Sequence, residues 1–179
     1  MDQGTQNIEI RHATSDDIGL LSVLAATTFY EAYFEQDTPH DLSRYIIESF
    51  QTGRIEDEMA DPNVTFLIAY QGGHAIGYAK LDAGTSHESI TAERTIELKR
   101  IYILERVWGK GVGQILLKQC ENVARESGYE SIWLGVWQQN ARGQSFYQKH
   151  GFVKRGTLEF PYGTSVGIND VMEKNLPPG

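Results

Sequence analysis

The 179-residue sequence predicts an α+β fold with a mixed sheet. Three observations carry that prediction. Val64–Tyr70 and Ala75–Leu81 are strand-forming runs joined by Gln71-Gly-Gly-His74, which is a hairpin signal. Ile96–Ile103 and Ile132–Trp137 are also strand-forming, and a helical pattern starting at Val112 separates them. A strand, a crossover helix and a second strand make the two strands parallel.

The elements follow in order. Ile8–Arg11 alternates as a first strand. Thr14 or Ser15 caps a helix with Asp16 and Asp17 in its first turn, where acids suit the dipole. That helix runs to about Tyr33 with Ile18, Leu21, Leu24, Ala25 and Phe29 on one face. Thr38-Pro39 starts a second helix carrying Leu42, Tyr45, Ile46 and Phe50. Arg54–Ala60 adds a short third, and Asp61-Pro-Asn63 is a turn. After the hairpin, the polar segment 82–93 reads as a loop. The helix from Val112 ends near Ser127, before Gly128. Ile132–Trp137 is nearly all apolar, as expected of a strand buried on both faces. Ala141–His150 is a short helix stopped by Gly151. Val153–Leu158 and Ser165–Asn175 form a last hairpin, with Phe160-Pro-Tyr-Gly163 near its bend.

The chain is organised around Ile96–Leu117. There a strand leads through Gly109, Gly111 and Gly113 into a helix. Free N–H groups and the positive dipole end meet at such a point, so it suits a phosphate. The nucleotide P-loop needs Lys-Ser/Thr after its last glycine, and Gln114-Ile115 stands there instead. The dinucleotide fingerprint needs G-x-G-x-x-G, and the alternation here is G-K-G-V-G. On its own residues the turn is either a phosphate seat or only a tight strand-to-helix connection.

Bulk properties narrow the class. The length suits one domain, residues 1–179, with a proper core. No apolar run approaches a membrane span, and the first eight residues lack signal character. Cys120, the single cysteine, excludes an internal disulfide and a Cys-based zinc site, and burial as a small hydrophobe suits it. The five histidines form no ligand-spaced set, so no metal is expected. These features read as cytoplasmic. The net charge of −8 argues against nucleic-acid binding. Residues 1–93 hold 4 basic and 16 acidic side chains; residues 94–179 hold 12 and 8. That asymmetry suits a cationic acceptor and an anionic cofactor. Solvated acidic helix faces explain it equally well.

The strand, glycine turn and helix are followed by Gly135–Phe152, in which Asn140, Tyr147, Lys149, Gly151 and Phe152 fit N-x6-Y-x-K-x-G-F. In this the chain resembles the GCN5-related N-acetyltransferase (GNAT) family. The resemblance covers roughly residues 64–175 well and the first sixty more loosely. Ile96-Glu-Leu-Lys-Arg-Ile-Tyr102, with the upstream T-F-Y-E-A-Y and T-P-x-D-L patterns, is most similar to the bacterial PaiA-like branch, which is linked to spermine and spermidine. The family's Arg/Gln before the glycines is Trp108 here, with Arg106 two residues earlier.

The resemblance implies a three-layer α/β/α arrangement. Its sheet is mostly antiparallel, and its two central parallel strands splay apart. Residues 1–60 would supply the acceptor-side helices and 64–175 the acetyl-CoA core. It implies that acetyl-CoA is the co-substrate. Backbone at Ile101, Tyr102 and Ile103 would hold its pantetheine arm. Gly109, Lys110, Gly111, Val112, Gly113 and Gln114 would hold its pyrophosphate. Asn140, Tyr147 and Lys149 would complete the site. Tyr147 would be the general acid, since a phenol of pKa about 10 can protonate a departing thiolate. Glu97 occupies a position that serves as base in some members. A salt bridge to Lys99 or Arg94 is the plainer role for it, and a water chain is the rival base. Gly135 stands where some N-terminal acetyltransferases carry Glu. Phe29, Tyr30 and Tyr33, with Phe34, fall where the family builds its acceptor wall. With Glu31 and Glu35 they could hold a cationic amine.

The expected function is therefore acetyl transfer to a small-molecule primary amine by direct attack, a polyamine suiting the acidic first half. A protein N-terminus, an aminoglycoside or an amino acid stays open as acceptor. A non-catalytic acyl-CoA sensor is the alternative of a different class. A homodimer is also left open.

Overall fold

Alternation, helix caps and glycine turns build seven strands and five α-helices among residues 7–179, the part of the chain that this computed structural model describes. The strands are β1 (Ile8–His12), β2 (Val64–Gln71), β3 (His74–Asp82), β4 (Thr95–Ile103), β5 (Ser131–Trp137), β6 (Val153–Tyr162) and β7 (Ser165–Asn175). The helices are α1 (Ile18–Tyr33), α2 (Pro39–Phe50), α3 (Thr52–Ala60), α4 (Val112–Glu126) and α5 (Ala141–Lys149). The strand order is β1-β2-β3-β4-β5-β7-β6. β4 and β5 are parallel, while β1–β2, β5–β7 and β6–β7 are antiparallel. This is the mixed α+β sheet that the sequence predicts. The first six residues, on which most of the reading of the N-terminus rests, lie outside the described part.

Two compact units divide the chain. The first comprises the residues up to Leu81 together with Arg100–Cys120. Its opening helix starts in two steps. Ser15–Asp17 is a 3-10 turn in which the Asp17 carboxylate accepts the Thr14 N–H at 2.8 Å. Arg11 hydrogen-bonds the same carboxylate, and that bond holds its pKa down at about 2. α2 begins as expected: Thr38 Oγ1 accepts the Asp41 N–H and Pro39 takes the first position. The β2–β3 turn is built on Gly72 and Gly73, both at positive φ, as a two-residue hairpin turn requires. Leu21, Leu24, Phe29, Leu42, Phe50, Ile55, Ile68, Tyr78 and Leu116 fill this unit's core.

The second unit comprises Asp82–Lys99 and Glu121–Gly179. Here the parallel ladder pairs the first three residues of each strand, Thr95–Ser131, Ile96–Ile132 and Glu97–Trp133. β5 pairs along its whole length with β7. Ile132, Leu134, Val171, Met172 and Phe152 are buried here. β6 runs four residues past the expected Leu158, through Pro161 to Tyr162, and the turn is Gly163-Thr164. Proline is tolerated there because β6 ends the strand order, so its missing N–H costs no ladder bond. A bulge between Lys154 and Gly156 shifts the register.

Candidate active site

In the first unit the candidate residues offer mainly backbone. β4 ends at Ile103, a 3-10 turn covers Glu105–Val107, and α4 opens at Val112. Gly109 and Gly111 have φ of 74° and 80°, the left-handed region that costs other residues strain. The first bond closing within α4 runs from Ile115 N–H to Gly111 O. The N–H groups of Val112, Gly113 and Gln114 therefore precede the helical ladder and are open to an anion. Nothing lies within 4 Å of a Cβ built on Gly109 or Gly111, so space is left above the turn. Lys110 and Gln114 are exposed, Gly113 is half-buried and Val112 is buried. A pyrophosphate fits this donor set. Ile101, Tyr102 and Ile103 are half-buried along the strand before it.

Trp108 now has a geometric role. Its indole N–H donates to the Ile103 carbonyl at 2.9 Å, tying the turn to the strand end. From the other side, Glu31 on α1 accepts the Glu105 backbone N–H at 2.6 Å.

The aromatic residues of α1 separate into two groups. Phe29 is buried and stacks on Tyr45 at 4.7 Å between centroids, with Tyr33 at 4.6 Å and Tyr102 at 5.9 Å. Tyr33 is half-buried, and Tyr30 and Phe34 are exposed and stacked 6.1 Å apart. Burial is the main cause raising the Tyr33 phenol above its ordinary range. Burial, with Tyr33 close by, raises Tyr102 further. Both phenols stay protonated and able to donate.

A buried charge cluster that the sequence did not suggest lies in the same unit. Glu58 on α3 takes a two-pronged bond from Arg100 at 2.8 and 3.0 Å and a contact from Lys80 at 3.2 Å. Burial alone would raise the Glu58 pKa, but the Arg100 and Lys80 contacts outweigh it and pull it down. The signal was two cations, Lys80 and Arg100, at alternate positions with the buried apolar residues Ile76, Tyr78, Ile96 and Leu98 of the same strands.

In the second unit the candidate residues offer side chains. Asn140 caps α5, its Oδ1 accepting the Gly143 N–H at 2.9 Å. A Cβ on Gly143 would stand 2.6 Å from the Asn140 amide, so a side chain there would displace the capping group. Tyr147 is half-buried, with Phe146 and Phe152 edge-on at 5.3 and 5.6 Å, and Lys149 is exposed. Glu97 is 5% exposed and pairs with Lys99 at 3.3 Å. Among the described residues no three His, Cys, Asp or Glu side chains are grouped as a metal would need. No described helix is long and apolar enough to cross a membrane.

The fold and the turn describe an α+β protein that can seat an anionic group behind a central strand. Residues 25–152 match the acetyltransferase (GNAT) family. An uncharacterized N-acetyltransferase of Mycobacterium bovis is 31% identical over 160 residues, covering 89% of this chain and 98% of that one. The spermidine N(1)-acetyltransferase of Thermoplasma acidophilum is 27% identical over 155 residues, covering 84% and 91%. The crystal structure of the PaiA N-acetyltransferase from Thermoplasma acidophilum, in complex with coenzyme A, superposes with a TM-score of 0.76 at 26% identity, covering 94% of this chain and 99% of that one. The chain belongs to the GNAT family. It is an N-acetyltransferase, and its acetyl donor is acetyl-CoA.

Proposed function

We propose that this enzyme acetylates a small-molecule primary amine by direct attack, and that the amine is a polyamine such as spermidine or spermine. The chain would act as one domain, with residues 1–60 on the acceptor side and 64–175 forming the acetyl-CoA core. Bound acetyl-CoA supplies an activated acetyl thioester. The N–H groups at Gly109–Gln114 would neutralise its pyrophosphate, with Lys110 adding charge. The Ile101–Ile103 backbone would hold the pantetheine arm, with contacts from Asn140 and Lys149. Tyr147 would give its phenolic proton to the leaving thiolate. The attacking amine must first lose a proton from an ammonium of pKa about 10. Glu97 or a water chain would take it; Lys99 already engages that carboxylate.

One observation supports the acceptor class best. α1 carries no basic residue, and its end offers Tyr30 and Phe34 as an exposed stacked pair beside exposed Glu35. Aromatic faces and a carboxylate suit a flexible cation. The spermidine relative supports the same reading. Titrating released thiol across a panel of amines tests it. Spermidine and spermine should give the highest kcat/KM, above aminoglycosides, amino acids and peptide N-termini. A peptide or amino acid turning over best would contradict the polyamine assignment.

A further inference from the structure

The segment joining β4 to the glycine turn is held at two points by side chains that need not touch a ligand. Glu31 reaches from α1, the helix that also carries Tyr30 and Tyr33, and accepts the Glu105 N–H. That N–H lies at the open N-terminal end of a 3-10 turn, where a carboxylate is favoured. Three residues on, Trp108 closes back on the Ile103 carbonyl. Between these ties the backbone is continuous: Val107 N–H donates to Leu104 O, Trp108 N–H to Glu105 O, and Leu104 N–H to Ile76 O on β3. The result is a short rigid link whose ends are a strand backbone and a phosphate-seating turn.

We propose that Glu31 and Trp108 are positioning residues, which fix the Leu104–Trp108 link and so set Gly109–Gln114 for the coenzyme. Glu31 on this account is not a ligand of the cationic amine, although it stands between Tyr30 and Tyr33 in sequence. Trp108 stands where the family pattern has Arg or Gln, and its N–H makes an internal tie. The proposal rests on the reading of Gly109–Gln114 as the pyrophosphate site.

Three variants separate positioning from direct binding. Glu31→Gln keeps an oxygen that can accept the Glu105 N–H but removes the charge. Glu31→Ala removes both. Coenzyme A affinity by calorimetry, the two KM values and exchange of the Glu105 amide are measured for each. Glu31→Ala should weaken coenzyme A binding and raise the acetyl-CoA KM about tenfold. It should also speed Glu105 amide exchange and leave the amine KM unchanged. Glu31→Gln should restore all three affected values to within about twofold of the parent. Trp108→Phe, which keeps the ring and loses the N–H, should also weaken coenzyme A binding, with little change in melting temperature. If Glu31→Gln fails as badly as Glu31→Ala and the amine KM rises alone, Glu31 binds the acceptor and the proposal falls. Unchanged coenzyme A affinity in both Glu31→Ala and Trp108→Phe would also defeat it, while leaving the pyrophosphate site standing. A parent enzyme that fails to bind coenzyme A would overturn both together.

Discussion

The glycine turn after β4 and the α5 segment, one in each unit, differ in what they offer a ligand. The turn offers backbone N–H groups at a helix start, shaped by positive φ at Gly109 and Gly111. The α5 segment offers side chains, an Asn cap and a half-buried Tyr set between two phenylalanines. Backbone sites tolerate side-chain change except where a glycine conformation is required. Side-chain sites concentrate their chemistry in one or two groups. Mutation should therefore divide the two regions cleanly, the first losing binding and the second losing turnover.

The largest effect expected is at Tyr147. Tyr147→Phe removes the proposed acid and should lower kcat about 10²- to 10³-fold, with coenzyme A affinity nearly unchanged by calorimetry. Equal losses in both would make Tyr147 a binding residue and erase the contrast.

Glu58→Gln should be next, acting on folding. It leaves Arg100 and Lys80 buried without their carboxylate and should cost about 3–5 kcal/mol, read from denaturant unfolding. A cost below about 1 kcal/mol would mean that the cations reach water or another anion.

Gly111→Ala forces a Cβ onto a backbone at φ 80°. The strain is on the order of 1–2 kcal/mol, and coenzyme A affinity should fall about tenfold while kcat at saturation holds. Retained affinity would mean that the turn's left-handed geometry is not needed.

The smallest effect concerns pH. Arg11 holds the Asp17 carboxylate at a pKa of about 2, against an ordinary 3.8. A carboxylate depressed in the folded state stabilises above its ordinary pKa and loses that contribution as pH falls through the depressed value. Asp17→Asn should cost about 1 kcal/mol at neutral pH. The gap from the parent should close between about pH 4 and pH 2. A gap that stays constant over that range would show the loss to be one of packing.

What the sequence revealed follows from the same contrast. The fold was legible because strand alternation, Pro39, Thr38, Gly72-Gly73 and Gly128 act locally. The turn was legible because glycine spacing reports backbone conformation directly. Asn140 and Tyr147 are candidates only through the family pattern, since neither residue type is diagnostic alone. The Glu58–Arg100–Lys80 cluster was hidden because its members are distant in sequence and meet only through packing. Trp108 was opaque for the same reason: its partner is a carbonyl, and a carbonyl leaves no trace in residue identity. β6 runs past its expected end because Phe160-Pro-Tyr-Gly163 suggests a bend, whereas an edge strand accepts proline.

One measurement tests direct acetyl transfer most closely. The enzyme is mixed rapidly with acetyl-CoA, with and without spermidine, and thiol and acetylated amine are followed together. Without amine, thiol should rise only at the slow hydrolytic rate; with it, one acetylated amine should form per thiol released. A burst of thiol equal to the enzyme concentration before amine is added would indicate an acyl-enzyme and contradict the account. So would the absence of any amine-dependent thiol.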